Sequence, residues 1–135
     1  MKEIKLTAKV ENLPKLMAFI DAELEAVDCS MKAQMQIDVA VDELFANIAS
    51  YAYAPGTGQA AIRFDYDKAS RTVTIAFWDS GVPFDPLAKA DPDVNATAEE
   101  REAGGLGIFL VKKTMDHVEY RYTNGSNVLT IQKQI

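Results

Sequence analysis

The sequence predicts an α+β fold, a two-layer sandwich in which a mixed, mostly antiparallel sheet is covered on one face by helices. Three observations carry this reading. The apolar period switches from two to helical and back along the chain. The elements run strand, helix, helix, strand, strand, loop, helix, strand, strand, and only a sheet with helices on one side accommodates that order simply. Finally, Asn124-Gly125 between two alternating segments is the strongest short hairpin signal a sequence offers.

Size and composition agree. The 135 residues are 48% apolar and 25% charged, enough for one complete core and too few for two, so one domain over 1–135 is expected. One Cys excludes a disulfide scaffold, and no apolar run reaches the roughly 20 residues of a membrane span. Met1 to Lys5 alternates charge and has no apolar stretch of the signal-peptide kind, so a cytoplasmic protein is expected. Net charge is −6 and no basic run exceeds Lys112-Lys113, which argues against direct nucleic-acid binding and leaves a protein partner or small ligand.

The elements follow in order. Ile4, Leu6, Ala8 and Val10 alternate with Lys5, Thr7 and Lys9 as a half-buried strand. Leu13, Leu16, Met17, Ile20, Leu24 and Val27 make a helical stripe, with Pro14 in the first turn. Ser30 is the expected N-cap of a second helix over 31–53, with Met31, Met35, Ile37, Val41, Leu44, Ile48 and Ala52 as its apolar positions. Ile62, Phe64, Tyr66 and Val73, Ile75, Phe77 are two strands joined by a turn at Asp67-Lys68-Ala69-Ser70. Residues 86–103 lack any stripe and are expected to form a long mobile loop, a kind that is usually functional. Gly104-Gly105-Leu106-Gly107 opens a third helix bearing Ile108, Val111 and Met115, and strands around Val118–Tyr122 and Leu129–Ile131 complete the chain.

Three segments could carry chemistry. Glu43 and Asn47, four apart on the second helix, share one face, as surface neighbours or as a site. As a site, Asn47 would offer Mg²⁺ one oxygen, and Glu43 would orient or deprotonate an attacking group. Asp79 ends a strand and is followed by Ser80-Gly81, which suits a plain turn or a reader of an exocyclic amine, with Gly81 letting a flat ring approach the backbone. The glycine run before the third helix exposes amides and a positive dipole end, an anion site, though it is neither a P-loop nor a dinucleotide fingerprint. Together they describe a nucleotide site with a closing lid.

In chain order, Glu43-x-x-x-Asn47, Asp79-x-Gly81-x-x-Phe84-Asp85-Pro86 and Gly104-Gly105-Leu106-Gly107-Ile108-Phe109-Leu110 resemble the N, G1 and G2 boxes of the ATPase superfamily of gyrase, heat-shock chaperones, histidine kinases and mismatch-repair proteins. Phe84-Asp85-Pro86 and Pro83 in the G1 box resemble the bacterial anti-sigma-factor serine/threonine kinases within it. The resemblance spans about residues 4–135 and implies a Bergerat-type ATP-binding fold with ATP and Mg²⁺ as cofactors. It implies Glu43 as general base, Asn47 as Mg²⁺ ligand and Asp79 as adenine reader. It further implies Gly105, Leu106 and Gly107 at the phosphates, residues 86–103 as ATP lid with Arg101 reaching the γ-phosphate, and Thr130 assisting Asp79.

The activity so implied is serine/threonine kinase action on a small anti-anti-sigma-type antagonist, in competition with a sigma factor, by a homodimer. One departure keeps a second reading open. Many such kinases have His-Ala-Tyr four residues after the Asn, where this chain has Tyr51-Ala52-Tyr53. A nucleotide-gated binding module that regulates a partner without phosphoryl transfer would tolerate that change. His117, Cys29 and Trp78 read as surface, small buried and sheet-packing residues respectively.

Overall fold

In the computed structural model, which describes residues 1–88 and 105–135, five strands form one sheet in the order β1-β2-β3-β5-β4. They are β1 (Lys2–Thr7), β2 (Gln59–Asp67), β3 (Thr72–Asp79), β4 (His117–Thr123) and β5 (Ser126–Gln134). All four neighbouring pairs are antiparallel, so the two-layer α+β expectation holds without a parallel pair. Helices α1 (Leu13–Ala26), α2 (Met31–Asn47) and α3 (Gly105–Thr114) cover one face.

Register explains which face is covered. On β2 and β3, Ile62 faces Phe77 and Phe64 faces Ile75; on β5, Leu129 and Ile131 sit opposite Phe77 and Ile75. These buried side chains meet Leu16, Ile20 and Leu24 of α1 and Ile37, Val41, Leu44 and Phe45 of α2 in one apolar cluster. Fully burying each such side chain contributes about 1.5–3 kcal/mol, which is why one-residue slips of these strands are excluded. The opposite face carries Trp78, with the Arg63 guanidinium 4.4 Å and the Arg121 guanidinium 5.8 Å from its ring centre. Trp78 thus packs on the sheet, as expected.

Turn and cap chemistry reads as anticipated. The Ser30 hydroxyl accepts from Ala33 N at 3.2 Å and starts α2. The Asp67 carboxylate accepts from Ala69 N and from the Ser70 hydroxyl, both at 3.0 Å, and closes the β2–β3 turn. Asn124 and Gly125 both have positive φ (51° and 79°), the geometry a two-residue hairpin turn demands.

Three expectations need correction. The first strand stops at Thr7, because Asn12 donates to Thr7 O and the chain turns through a 3-10 segment at Val10–Asn12. Met31 and Met35 are 80% and 62% exposed rather than core. The buried side of α2 is Ala33, Ile37, Ala40, Val41, Leu44 and Phe45, and the two methionines fall on the far side of the wheel. Finally, the α-helix ends at Asn47, and Ile48–Ala52 continue as a π-helical turn, a local underwinding frequent at functional sites.

Between α1 and α2, Asp38 sits beside Asp21, which also accepts from Gln34 Nε2 at 3.2 Å. Burial first, then the hydrogen bond and charge of Asp21, push the Asp38 carboxyl up to about 7. Its folded-state pKa therefore lies above the unfolded value of about 3.9, so the folded form holds the proton more tightly. Stability from this group is complete below about pH 4 and is lost as pH rises through 7. Asp38→Asn should accordingly raise Tm relative to wild type at pH 8.5, by a few degrees after allowance for solvent screening, and not at pH 4.5. Calorimetry at the two pH values checks this, and an equal shift at both would refute the assignment.

Candidate functional site

An apolar cleft opens where the C-terminal end of β3 meets the end of α2. Leu44, Ile48, Ala52, Phe77, Val82 and Leu129 line it, and Asn47, Asp79, Tyr120 and Asn127 supply its polar groups. It encloses about 420 Å³ including its open mouth, the scale of a small-molecule site. Each wall has a sequence reason. Period two along β3 puts Phe77 and Asp79 on the helix-facing side, and the rotation of α2 that buries Leu44 leaves Asn47 at the cleft margin.

Asp79 is 7% exposed. Its Oδ1 accepts from Gly81 N at 3.0 Å and from Asn127 Nδ2 at 2.9 Å. Among the described residues both bonds fall on Oδ1, leaving Oδ2 to accept a third. Gly81 stands directly against the Ala52 carbonyl, and a Cβ there would overlap that backbone oxygen. Val82 N donates to the same Ala52 carbonyl at 2.9 Å, tying the loop to the π-helical turn. Tyr53 completes the brace, its hydroxyl accepting from Ser80 N at 2.8 Å and donating to Gln59 O at 2.5 Å.

Glu43 lies one turn before Asn47 and abuts the start of α3. A Cβ at Gly107 would overlap the Glu43 carboxyl group. Among the described residues Glu43 Oε1 is buried without a hydrogen-bond partner, and burial, with a smaller contribution from Asp42, raises its pKa above the ordinary glutamate value. A buried carboxylate oxygen with no partner is costly, and such groups cluster where chemistry needs them. Gly105 and Gly107 belong to the first turn of α3, whose unpaired amides and dipole suit an anion. Lys112 and Lys113 lie in its last turn, where cations favour the dipole.

Asn47, Asp79 and Gly81 thus meet in or beside one cleft, with Glu43 against Gly107 next to it. Thr130 does not join them. It pairs with Ala76 and Glu119 on the uncovered face, because 127, 129 and 131 share the parity that faces the helices and 130 does not. The β5 residue opposite Asp79 is Asn127. Counting by twos from the apolar Leu129 and Ile131 was the available signal. Arg101 and Gly104 lie outside the described residues, as does most of the expected lid; its first residues, Pro86–Ala88, form a 3-10 turn. Tyr51 is 47% exposed, its ring centre 5.5 Å from that of Phe84 at the cleft mouth. His117 sits on the sheet edge with Nε2 3.4 Å from Glu119, and Cys29 is half-buried.

The profile of the histidine kinase-like ATPase domain matches residues 6–133. The chain belongs to that family. Curated relatives include the serine/threonine-protein kinase BtrW of Bordetella bronchiseptica, 28% identical over 102 residues that cover 76% of this chain and 71% of that protein. The serine-protein kinase RsbW of Bacillus cereus is 26% identical over 131 residues, covering 94% of this chain and 81% of its own. Among solved structures, the Acinetobacter baumannii histidine kinase AdeS aligns over 99% of this chain and 68% of its own, with 11% identity and a TM-score of 0.46.

The two glycine contacts differ in kind. Gly107 meets the movable end of a side chain, whereas Gly81 meets a carbonyl fixed in the backbone. Gly81→Ala should therefore cost about 1–3 kcal/mol, as overpacking does, and lower Tm more than Gly107→Ala. Parallel thermal denaturation followed by circular dichroism decides it; the reverse order would mean the 79–82 loop is looser than drawn.

Proposed function

We propose that this protein is an ATP-dependent serine/threonine protein kinase that binds Mg²⁺·ATP in the cleft and phosphorylates a small antagonist protein. The observation that carries the proposal is the meeting of an amine acceptor, an apolar slot, an amide oxygen and an unpartnered buried carboxylate at the start of a glycine-rich helix. Family membership and relatives named as serine kinases support the same reading.

In this mechanism Ile48, Val82 and Leu129 would hold the adenine, and Asp79 Oδ2 would accept from its amine. The amides at the start of α3 bind phosphate oxygens. Asn47 would offer its carboxamide oxygen to a Mg²⁺ ion brought by the nucleotide. The ion's part is to neutralise charge on the transferring phosphoryl group. Glu43 takes the proton from the attacking hydroxyl, and its raised pKa makes it a stronger base than an exposed glutamate. Arg101, outside the described residues, would be the cation that meets the γ-phosphate. The antagonist is an anti-anti-sigma-type protein that shares this protein, as a homodimer, with a sigma factor.

Tyr51 supports a second reading, a module that uses ATP only to set lid conformation, since it stands against Phe84 at the root of the lid.

Three measurements test the proposal. Mg²⁺·ATP at about a hundred times its Kd should stabilise the protein by roughly 2.7 kcal/mol, a Tm rise on the order of 5–15 °C that Asn47→Ala abolishes. Glu43→Gln should retain that rise and lose transfer of ³²P to the acceptor protein; transfer unchanged in this variant would refute Glu43 as base. The wild-type rate should fall on the acid side with a midpoint above the ordinary glutamate value, because only the deprotonated Glu43 accepts the proton. Binding with no acceptor phosphorylated would favour the second reading.

A further inference from the structure

Asn127 was not among the residues the sequence singled out, yet its side chain is the most fully engaged polar group in the cleft. It is 6% exposed. Its Nδ2 donates to Asp79 Oδ1 at 2.9 Å and to Val82 O at 2.8 Å. Its Oδ1 accepts from Phe84 N at 3.1 Å and from the Tyr120 hydroxyl. Two donors and two acceptor sites are the whole capacity of a carboxamide, so Asn127 has nothing left for a ligand.

We infer that Asn127, held by Tyr120, is a positioning residue that sets base selectivity by turning Asp79 so that its Oδ2 is the oxygen presented to the base. The inference rests on the reading of the cleft as an adenine-nucleotide site. A carboxylate free to rotate presents either oxygen, at varying angles. With Gly81 N and Asn127 Nδ2 both on Oδ1, rotation is stopped and Oδ2 has one direction. A fixed acceptor discriminates strongly between an amino and an oxo group at the same ring position, because the oxo group leaves the buried carboxylate facing a carbonyl. The same carboxamide grips Val82 and Phe84, so the base reader and the 82–84 loop share one anchor. Tyr120 reaches that anchor from β4, across the hairpin turn at Asn124-Gly125.

The test is calorimetric titration of the full chain with Mg²⁺ and either ADP or its 6-oxo counterpart IDP, for wild type, Asn127→Ser and Tyr120→Phe. Wild type should prefer ADP. Asn127→Ser should reduce that preference about tenfold, mainly by weakening ADP, and Tyr120→Phe should reduce it by a smaller factor in the same sense. A residue that merely holds the fold would weaken both nucleotides equally and leave the ratio intact, which overturns the inference. If Asn127→Ser does not fold, Tyr120→Phe decides alone: a reduced ratio supports the role and an unchanged one refutes it. A wild type that binds neither nucleotide defeats the reading of the cleft itself. A wild type that prefers ADP, with variants that keep the full preference, defeats only this inference.

Discussion

The rotation of α2 about its own axis is the constraint on which the cleft depends. Ile37, Val41, Leu44 and Phe45 are all within 2% of complete burial against the sheet and α1. Turning the helix by one residue position would move these side chains toward solvent, a loss of several kcal/mol. That burial fixes where every other α2 residue points. Glu43 and Asn47 fall on the margin toward α3, Asp38 falls toward α1, and Met31, Met35 and Val39 face outward. The catalytic geometry proposed for Glu43 and Asn47 is therefore a by-product of core packing rather than of contacts they make themselves.

Rigid and closing parts of the cleft are built differently. The Asp79 end is braced by backbone and side-chain hydrogen bonds: Gly81 and Asn127 on Asp79, Val82 on Ala52, Tyr53 on Ser80 and Gln59. Toward α3 the wall is a contact rather than a hydrogen bond: a Cβ at Gly107 would overlap the Glu43 carboxyl, whose Oε1 is buried with no hydrogen-bond partner among the described residues. Such a group weakens the folded state and is retained where a reaction uses it. The carboxyl pair at Asp21 and Asp38 is a separate case, in which burial raises the Asp38 pKa to about 7 at a helix–helix junction away from the cleft.

Much of this was legible in the sequence for local reasons. Period two in β2, β3 and β5, the Ser30 cap, the Asp67 turn and the Asn124-Gly125 turn are short-range effects, written within a few residues of where they act. The pairing of Glu43 with Asn47, and of Asp79 with Gly81, is of the same kind, since a helical turn and a strand end place those residues together whatever surrounds them. The methionines of α2 were misread because an apolar residue near a stripe is not distinguishable from one on it until the partner surface is known.

What only the tertiary structure decided is how distant segments face one another. Asn127 stands 48 residues from Asp79 along the chain, and nothing local to Ser126-Asn127-Val128 signals the contact. Strand order decides it, because β5 inserts between β3 and β4 and sets Asn127 opposite Asp79 while turning Thr130 to the other face. The closeness of Gly107 to Glu43 likewise comes from the packing of α3 on α2. The sequence by itself determined the elements, their caps and the residue types of a nucleotide site, since these follow from period and local hydrogen bonding. Register across the sheet and the docking of helices, which are collective results of burying one core, decided which of those residues meet.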